Sequence, residues 1–470
     1  MTQHARDTHL LSGGTLLADW SGARIVADGA VAWRDGILLG AGSCAELEAR
    51  HPQARRHDAH GGWIAPGLIN AHHHIYSALA TGLDSGLPID GFGQALDRLW
   101  WRLDRALDEE SIRVSVRLAA LRCALAGCTT LVDHHASPGL IPGVLDMLAE
   151  ELEAAGLSAV LCYEASDRNG RAGAKTGLEE SARFRDAVVR HPRFRGLIGL
   201  HAAFTLSEES LSQASVLCRE GDIHIHVAES RLDGDECWRA FGRGPLERLE
   251  VQGLLGPSSW IAHGVQLEAR DFALLAERAS LLVHCPESNA NNRVGRLDLA
   301  AARAAGLAVG LGTDGMSACL LTSLRCAFLL HRASVAETNG DPDCGWRDTV
   351  GLLEGARGHV ARLFDQPGYG RLEPGAPADL VVLEDAFPGE LSTENLTARL
   401  VFGQAPPRVR HTVARGVFLV RDFEPQLLDA ERLAREGDRV RQALWGRFAK
   451  LAGGTPYLGT ARTAERQEAE

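Results

Sequence analysis

The sequence predicts an α/β protein: a (β/α)8 TIM-like barrel with a small β-sandwich domain that the N- and C-terminal segments build together. Short apolar runs alternate with helix-like segments through the middle of the chain, which is typical of strands and helices around a parallel sheet. Stretches rich in β-formers lie near both ends. A length of 470 residues exceeds one ordinary domain and suits a large barrel with a smaller companion.

Eight apolar, β-like runs are candidates for the barrel strands. Most gaps between them are about 20–40 residues long, which leaves room for one helix each. The first gap is longer, so residues 76–128 are expected to hold an insertion as well as a helix, at the C-terminal face of the barrel where substrates bind. The eight runs end near Asn70, His135, Glu164, His201, Ala228, Gly264, Cys285 and Gly312.

Residues 1–66 and 368–425 are expected to form the composite β domain. The first segment holds Arg34-Asp35-Gly36 between two apolar runs, and Asp-Gly in this setting is a hairpin signal. The second segment holds β-like runs at 378–383 and 413–420. Both ends of the chain therefore contribute strands to one small domain.

The barrel is accordingly predicted to span residues 67–367, and residues 426–470 to form a C-terminal helix and tail. The stretch from Pro425 to Leu451 is amphipathic and rich in Arg and Glu, which indicates a solvated surface helix. Partner binding by this helix is the alternative. Residues 452–470 are expected to be loose.

Charge and composition restrict the class of partner. The formal net charge of -12 repels a polyanion, so nucleic acid is not an expected ligand. The sequence has neither an apolar run of about 18 residues nor a signal-peptide core, so we expect a cytoplasmic protein without a membrane partner. The ten cysteines form no Cys-x-x-Cys pair. A small-molecule substrate and a homo-oligomeric state are expected.

An apolar strand that ends in three histidines is the strongest local signal. Alternate residues of an extended strand point to the same side, so His72 and His74 can converge on one metal ion while His73 points away. A surface accident is the alternative explanation of a three-histidine run.

A second cluster lies on the fifth candidate strand. His224 and His226 share a face, and Glu229 follows the strand end. Neutral imidazole suits zinc, and a nearby carboxylate that does not bind the metal can transfer protons. The alternative for His224 is a buried core histidine.

Two further strands end in ionisable residues, the sixth in His263 and the eighth in Asp314. Each alone is explained as well by a core histidine or a turn aspartate. Ionisable groups at the ends of four strands, however, are difficult to explain by packing, because barrel enzymes place their reactive groups at this rim.

Together these motifs resemble the amidohydrolase superfamily over nearly the whole chain, in particular the branch of cytosine and guanine aminohydrolases. The matching segments are Pro66-Gly67 with His72-x-His74, His226-x-x-Glu229, His263, Gly312-Thr313-Asp314 and residues 374–381. Three other segments, residues 100–107, 133–138 and 162–170, are similar to the SsnA-type aminohydrolases. Membership of that family does not settle the substrate.

The resemblance implies one divalent metal, zinc or alternatively iron. The implied ligands are His72, His74, His226 and Asp314. Glu229 and His263, with Asp314, are the implied proton-handling residues. No lysine ends the fourth strand where a second metal would need it, so a single-metal site is favoured. Asn70 stands where many relatives have Asp, and we expect this change to leave the metal site intact.

Further polar and aromatic residues are candidates for substrate contacts: His201, His134, Trp101 and Asn289. His201 resembles the substrate-binding histidine of related deaminases, and Trp101 offers a flat face for a heterocycle. A structural role is the alternative for each of them.

The resemblance implies hydrolytic deamination of an amino-substituted purine, pyrimidine or pterin. Zinc would supply the nucleophile, because it lowers the pKa of a bound water from 15.7 to about 7. Three alternatives remain at this point. They are removal of chloride or alkylamine from a triazine-like ring, hydrolysis of a cyclic amide, and a catalytically silent metal-binding protein.

Overall fold

The computed structural model of the chain describes residues 7–338 and 346–451. Within these ranges the strands β1 to β18 are, in chain order, His9–Leu17, Ile25–Arg34, Ile37–Ser43, Arg55–Asp58, Trp63–Pro66, Leu68–His73, Cys128–His135, Ser158–Tyr163, Phe194–Gly196, Ile198–Ala202, Ile223–Val227, Trp260–His263, Leu281–His284, Ala308–Leu311, Leu380–Leu383, Val409–Ala414, Val417–Arg421 and Glu424–Pro425.

The α-helices of the same ranges connect and flank these strands. In chain order, α1 to α17 are Cys44–Arg50, Phe92–Ala95, Trp101–Ala106, Glu109–Leu125, Val144–Ala154, Arg171–Ala187, Glu208–Leu217, Arg231–Phe241, Pro245–Val251, Ala269–Glu277, Pro286–Asn291, Leu299–Ala304, Leu320–Thr338, Trp346–Glu354, Arg357–Phe364, Leu396–Ala398 and Ala430–Lys450. No helix within these described residues has the length and apolar character needed to cross a membrane.

Strands β6 to β14 form the barrel. Parallel pairing joins β6 through β9 into one sheet and β10 through β14 into another, with β9 and β10 sharing the fourth position of the ring. Parallel bridges between Ala165 and Leu200 and between His73 and Asp314 join the two sheets at both seams. The fold class predicted from the sequence is confirmed.

The barrel strands end close to the predicted positions. The first runs on to His73 rather than stopping at Asn70, because the carbonyl of His72 accepts backbone hydrogen bonds from Thr313 and Asp314, both 3.0 Å long. Every residue of β7 and β8 is buried, as expected for a parallel sheet covered on both faces. The carboxyl ends of all the barrel strands thus meet at one rim.

Both ends of the chain contribute to the small β domain. Strand β5 pairs antiparallel with β15, so that Trp63 lies opposite Leu383. The nine-stranded sheet folds over where Ile37 bridges to Pro377, and it encloses an apolar core that includes Trp33. The predicted β-rich run 413–420 divides into a hairpin of β16 and β17 at Arg415 and Gly416, which both have positive φ.

The C-terminal helix α17 begins later than the sequence indicates, because Glu424 and Pro425 pair with β17 as a short strand. Asp429 caps the helix by accepting a hydrogen bond from the Arg432 amide. One face of the helix is buried against α3 and α4, which places it beside the insertion after the first barrel strand. The predicted loose tail, residues 452–470, lies outside the described residues.

Candidate metal centre and active site

Imidazole nitrogens and one carboxylate converge at the rim of the barrel. His74 Nε2 lies 3.2 Å from His226 Nε2 and 3.1 Å from Asp314 Oδ1, and His72 Nε2 lies 3.6 Å from the same oxygen. Ligands at 2.0–2.1 Å from a tetrahedral zinc ion are separated by about 3.3–3.4 Å. The spacing of these four side chains therefore fits one divalent metal ion.

The opposite nitrogens of these rings are held by the protein. His74 Nδ1 donates to the His134 carbonyl and His226 Nδ1 to the His201 carbonyl, each at 2.7 Å. His72 Nδ1 is hydrogen-bonded to His224 Nε2 at 2.8 Å. These bonds leave the Nε2 lone pairs directed at the centre of the cluster, as metal-binding histidines require.

His72 gives an independent test of the fit to a metal. Its Nε2 is fully buried and has no hydrogen-bond partner among the described residues. Buried polar atoms are nearly always paired, so an unpaired imidazole nitrogen facing a carboxylate and two other imidazoles fits a metal ligand. His73 points away from this cluster, as predicted, and is hydrogen-bonded to Thr313 Oγ1 instead.

The electrostatics of the cluster favour a cation between His74 and Asp314. Burial lowers the pKa of His72 to about 3, so that this ring stays neutral. Burial also opposes protonation of His74, but the hydrogen bond and charge of Asp314 outweigh it and raise the pKa of His74 to about 9. A positive charge is thus stabilised at the point where the ligand atoms meet.

Glu229 and His263 lie beside the ligand cluster. Glu229 Oε2 is 3.5 Å from His263 Nε2, and Glu229 Oε1 accepts a hydrogen bond from Asn292 Nδ2 at 3.1 Å. Burial and the charge of Asp314 raise the pKa of Glu229 to about 8. A carboxyl group with this pKa carries a proton at neutral pH, which suits a general acid.

Strained backbone lies where three of the barrel strands end. Ala228, His263 and Asp314 have φ values of 51°, 73° and 54°, in the left-handed region that non-glycine residues rarely adopt. Such conformations collect at functional sites, where the surrounding structure holds them. Here they mark the ends of β11, β12 and β14, from which the reactive side chains project.

A cavity of about 680 Å³, its open mouth included, lies over the cluster. Three residues of the cluster, His74, His226 and Asp314, line it, together with Glu229 and His263. The remaining wall is largely apolar and aromatic. The insertion after the first barrel strand contributes Phe92, Leu96, Trp100 and Trp101 to this wall, and other loops contribute Phe204 and Met316.

The four residues predicted to contact substrate divide into two groups. His201 and Trp101 line the cavity. Asn289 is fully buried, and its Oδ1 accepts a hydrogen bond from His263 Nδ1 at 2.9 Å. His134 is also fully buried, and its ring stacks on His224 with centroids 4.5 Å apart. Asn289 therefore contacts His263 from outside the cavity, whereas a ring nitrogen of His134 lies within 4.8 Å of nitrogens of His72, His74 and His226.

Sequence reasoning missed several polar residues of the cavity. Glu164 follows β8 directly, and a carboxylate at the end of a barrel strand is a signal that could have identified it. Burial raises the pKa of Glu164 to about 7, although Arg168 and His74 oppose this shift. Asn292 and Tyr76 also line the cavity, and only tertiary structure brings Asn292 to Glu229.

The sequence of this chain is similar to those of several deaminases. Residues 63–419 match the sequence profile of the amidohydrolase family. A 5-methylthioadenosine/S-adenosylhomocysteine deaminase from Nitratidesulfovibrio vulgaris is 30% identical over 429 residues, which cover 89% of this chain and 93% of that protein. An 8-oxoguanine deaminase from Pseudomonas aeruginosa is 28% identical over 454 residues, which cover 91% of this chain and 95% of its own length.

A solved structure shares the fold. An adenosine deaminase from Xanthomonas campestris with bound zinc superposes with a TM-score of 0.81 at 22% sequence identity. The superposition covers 93% of this chain and 98% of that protein. The barrel and the composite β domain therefore occur together in both molecules.

Proposed function

The chain belongs to the amidohydrolase family, as its motifs predicted, and we propose that it is a metal-dependent aminohydrolase that removes an amino group from a nitrogen heterocycle. One observation carries this proposal. A buried carboxyl group, Glu229, lies beside a cluster of side chains spaced as metal ligands, in a cavity with an aromatic wall. Hydrolytic deamination needs these three parts: activated water, a proton donor and a place for a flat ring.

We assign the metal ligands to His72, His74, His226 and Asp314, and propose zinc, with iron as the alternative. Three imidazoles and one carboxylate are a donor set that zinc accepts. The zinc of the structurally similar adenosine deaminase supports the same choice. When bound at such a site, a divalent ion supplies Lewis acidity that lowers the pKa of water to about 7.

Asp314, His263 and Glu229 have different roles in the proton transfers. Asp314 takes a proton from the attacking water, and His263, whose Nε2 is 3.9 Å from Asp314 Oδ2, orients that water. Glu229 gives its proton to a ring nitrogen as oxygen bonds to the adjacent amino-bearing carbon. The tetrahedral intermediate collapses when Asp314 gives its proton to the leaving amino group and the new hydroxyl group gives its proton to Glu229, which regenerates the starting protonation states. Water and the amino compound thereby become ammonia and a ring carbonyl.

The names of the relatives favour a purine among the three ring classes. The two relatives described above are named as deaminases of 5-methylthioadenosine or S-adenosylhomocysteine and of 8-oxoguanine. Trp100 and Trp101 add flat surfaces to the cavity, and Phe204 adds a third. An amino-purine that presents its ring to these faces is the substrate we propose.

Ammonia release by metal-quantified protein tests the proposal. The panel consists of amino-purines, amino-pyrimidines, pterins and triazines. Glu229→Gln should keep the metal and lose turnover by about 10²- to 10⁴-fold, the usual contribution of a general acid. His226→Ala should lose both metal and turnover. Glu209→Gln is the matched control, because Glu209 is an exposed residue paired with Arg171 outside the cavity.

Two results would contradict the proposal. An undiminished rate in Glu229→Gln would remove the glutamate from its role. No ammonia from any ring class, with about one metal per chain, would favour another leaving group or a catalytically silent protein.

A further inference from the structure

A second buried carboxylate faces the cavity, and the proposed reaction does not use it. Glu164 follows β8, the third strand of the barrel, and its side chain is 3% exposed. Glu229 follows β11, the fifth strand, and accepts a hydrogen bond from Asn292. The third and fifth strands are about a quarter-turn apart in a ring of eight. A substrate ring that receives a proton from Glu229 can therefore present another of its edges to Glu164.

The Glu164 carboxylate has no close hydrogen bond among the described residues. Its polar neighbours stand at distances longer than the 2.7–2.9 Å of a charge-assisted hydrogen bond. They are Arg168 Nη2 at 3.4 Å, His201 Nε2 at 3.7 Å, His134 Nδ1 at 3.8 Å and His74 Nδ1 at 4.0 Å. Most of the acceptor capacity of this carboxylate is therefore open to a ligand.

His201 presents a second acceptor next to it. The hydroxyl of Thr205 donates to the Ala202 carbonyl at 3.0 Å, so its oxygen is left to accept from His201 Nδ1 at 2.8 Å. The proton of His201 thus resides on Nδ1, and Nε2 carries the lone pair. Two acceptors, Glu164 Oε1 and His201 Nε2, lie 3.7 Å apart. A ligand that satisfies both must bring N–H or O–H donors.

The carboxylate of Glu164 is positioned by Arg168, which is buried outside the cavity. Arg168 forms an ion pair with Asp104, with Nη2 and Oδ2 2.5 Å apart, and its guanidinium lies 5.2 Å from the centre of the Trp101 ring. Arg168 Nη2 lies closer to Asp104 than to Glu164, so the guanidinium does not use up the acceptor capacity of Glu164.

We propose that Glu164, with His201, forms a subsite that selects substrates by hydrogen-bond donors away from the reacting carbon. The inference rests on the proposed deamination and adds the chemistry of the substrate to it. Two sources supply such donors: the ring N–H groups of an oxopurine base, and the hydroxyl groups of the sugar of an adenine nucleoside. Arg168 and Asp104 are positioning residues, because they act through Glu164.

Binding to a protein that turns over slowly measures this subsite directly. We would use the metal-loaded Glu229→Gln variant at pH 8.5 and titrate matched pairs of ligands by calorimetry. Two pairs compare 8-oxoguanine with its 9-methyl and with its 7-methyl derivative, each of which lacks one ring N–H. A third pair compares adenosine with 2′,3′-dideoxyadenosine, which lacks the 2′ and 3′ hydroxyls of the sugar. The pair that shows the largest preference identifies the source of the donors.

The parent compound should bind about 10- to 100-fold more tightly than its blocked analogue, the ratio expected of a hydrogen bond to a charged group. Adding Glu164→Gln, which keeps the shape and removes the charge, should reduce this preference to less than about 3-fold. Glu209→Gln in the same background should leave the preference unchanged. Metal content and melting temperature report on folding, and Glu164→Asp, which withdraws the carboxylate, serves if Glu164→Gln fails to fold.

The outcomes separate the two proposals. Ammonia release by the wild-type protein, with a preference that survives both Glu164→Gln and Glu164→Asp, would overturn the subsite and leave the deaminase intact. Wild-type protein that binds metal but releases ammonia from no compound would overturn the proposed function. A preference that disappears with the carboxylate supports both.

Discussion

The side-chain oxygen of Asn289 accepts a hydrogen bond from Nδ1 of His263 at 2.9 Å. This contact fixes the proton of the imidazole on Nδ1 and leaves the Nε2 lone pair facing Glu229 and Asp314. Asn289 itself is fully buried. In the proposed mechanism its role is to hold the orientation and tautomer of His263.

Replacement of Asn289 by Leu should lower kcat by about 10- to 100-fold, as the loss of groups that support a catalytic histidine commonly does. KM should change little, because the amide does not line the cavity. Steady-state kinetics on the best substrate of the ammonia panel measures this split. Asn289→Asp keeps an acceptor for the Nδ1 proton and should recover part of kcat. Equal losses in kcat for Leu and Asp would contradict the tautomer argument.

Metal removal should destabilise the protein. A metal that binds the folded state alone stabilises it by about 2.7 kcal/mol when free metal exceeds its Kd 100-fold. Treatment with a chelator should therefore lower Tm, and zinc should restore it. His226→Ala, which lacks one of the proposed ligands, should show a much smaller chelator effect. Calorimetry of both proteins with and without chelator measures the difference, and equal shifts in the two would place the stabilising metal elsewhere.

Much of this architecture follows from local sequence. The ends of the barrel strands are fixed by apolar runs that stop at polar residues, so their positions and the convergence of His72 and His74 follow from the two-residue period of a strand. Helix α17 is apparent from its apolar stripe, although its first residue depends on the pairing of Glu424 with β17.

Roles that depend on side-chain direction could not be predicted. Asn289 and His134 lie near strand ends, as substrate-binding residues do, but the structure turns one toward His263 and stacks the other on His224. Glu164 stands at a predicted strand end without a histidine neighbour in sequence. Its neighbour Arg168 pairs with Asp104, and the two are brought together only when the insertion packs over the third strand.

The small β domain contains a histidine that should make stability depend on pH. Burial is the main cause that lowers the pKa of His57 to about 3, and neighbouring positive groups add to it. The unfolded chain protonates this residue near pH 6.5 and the folded chain does not, so the unfolded state binds more protons between these two values. Stability should therefore fall as pH falls from 6.5 toward 3.

His57→Phe isolates this contribution. Phenylalanine preserves the ring that stacks on His9 and Trp33 but cannot be protonated. Between pH 6.5 and 5 the wild-type protein should lose up to about 1.4 kcal/mol per pH unit more than the variant. Urea unfolding at several pH values measures both slopes, and the histidines other than His9, which is hydrogen-bonded to His57, cancel in the difference. Parallel slopes would mean that His57 is protonated in the folded protein.

The ion pair of Asp104 and Arg168 should stabilise the fold only as a pair. The two side chains are 1% and 6% exposed, so removal of one partner leaves the other buried and uncompensated. Arg168→Met or Asp104→Leu alone should each cost about 3–5 kcal/mol, whereas buried pairs replaced together by apolar groups are often neutral. The double variant should therefore be more stable than either single variant, with a residual cost because Glu164 also loses its neighbour Arg168. Denaturant unfolding of the wild type, the two single variants and the double variant gives the coupling energy between Arg168 and Asp104. The exposed pair of Glu209 and Arg171 is the control, and its disruption should cost no more than about 1 kcal/mol. Additive single costs would show that the two charges do not depend on each other.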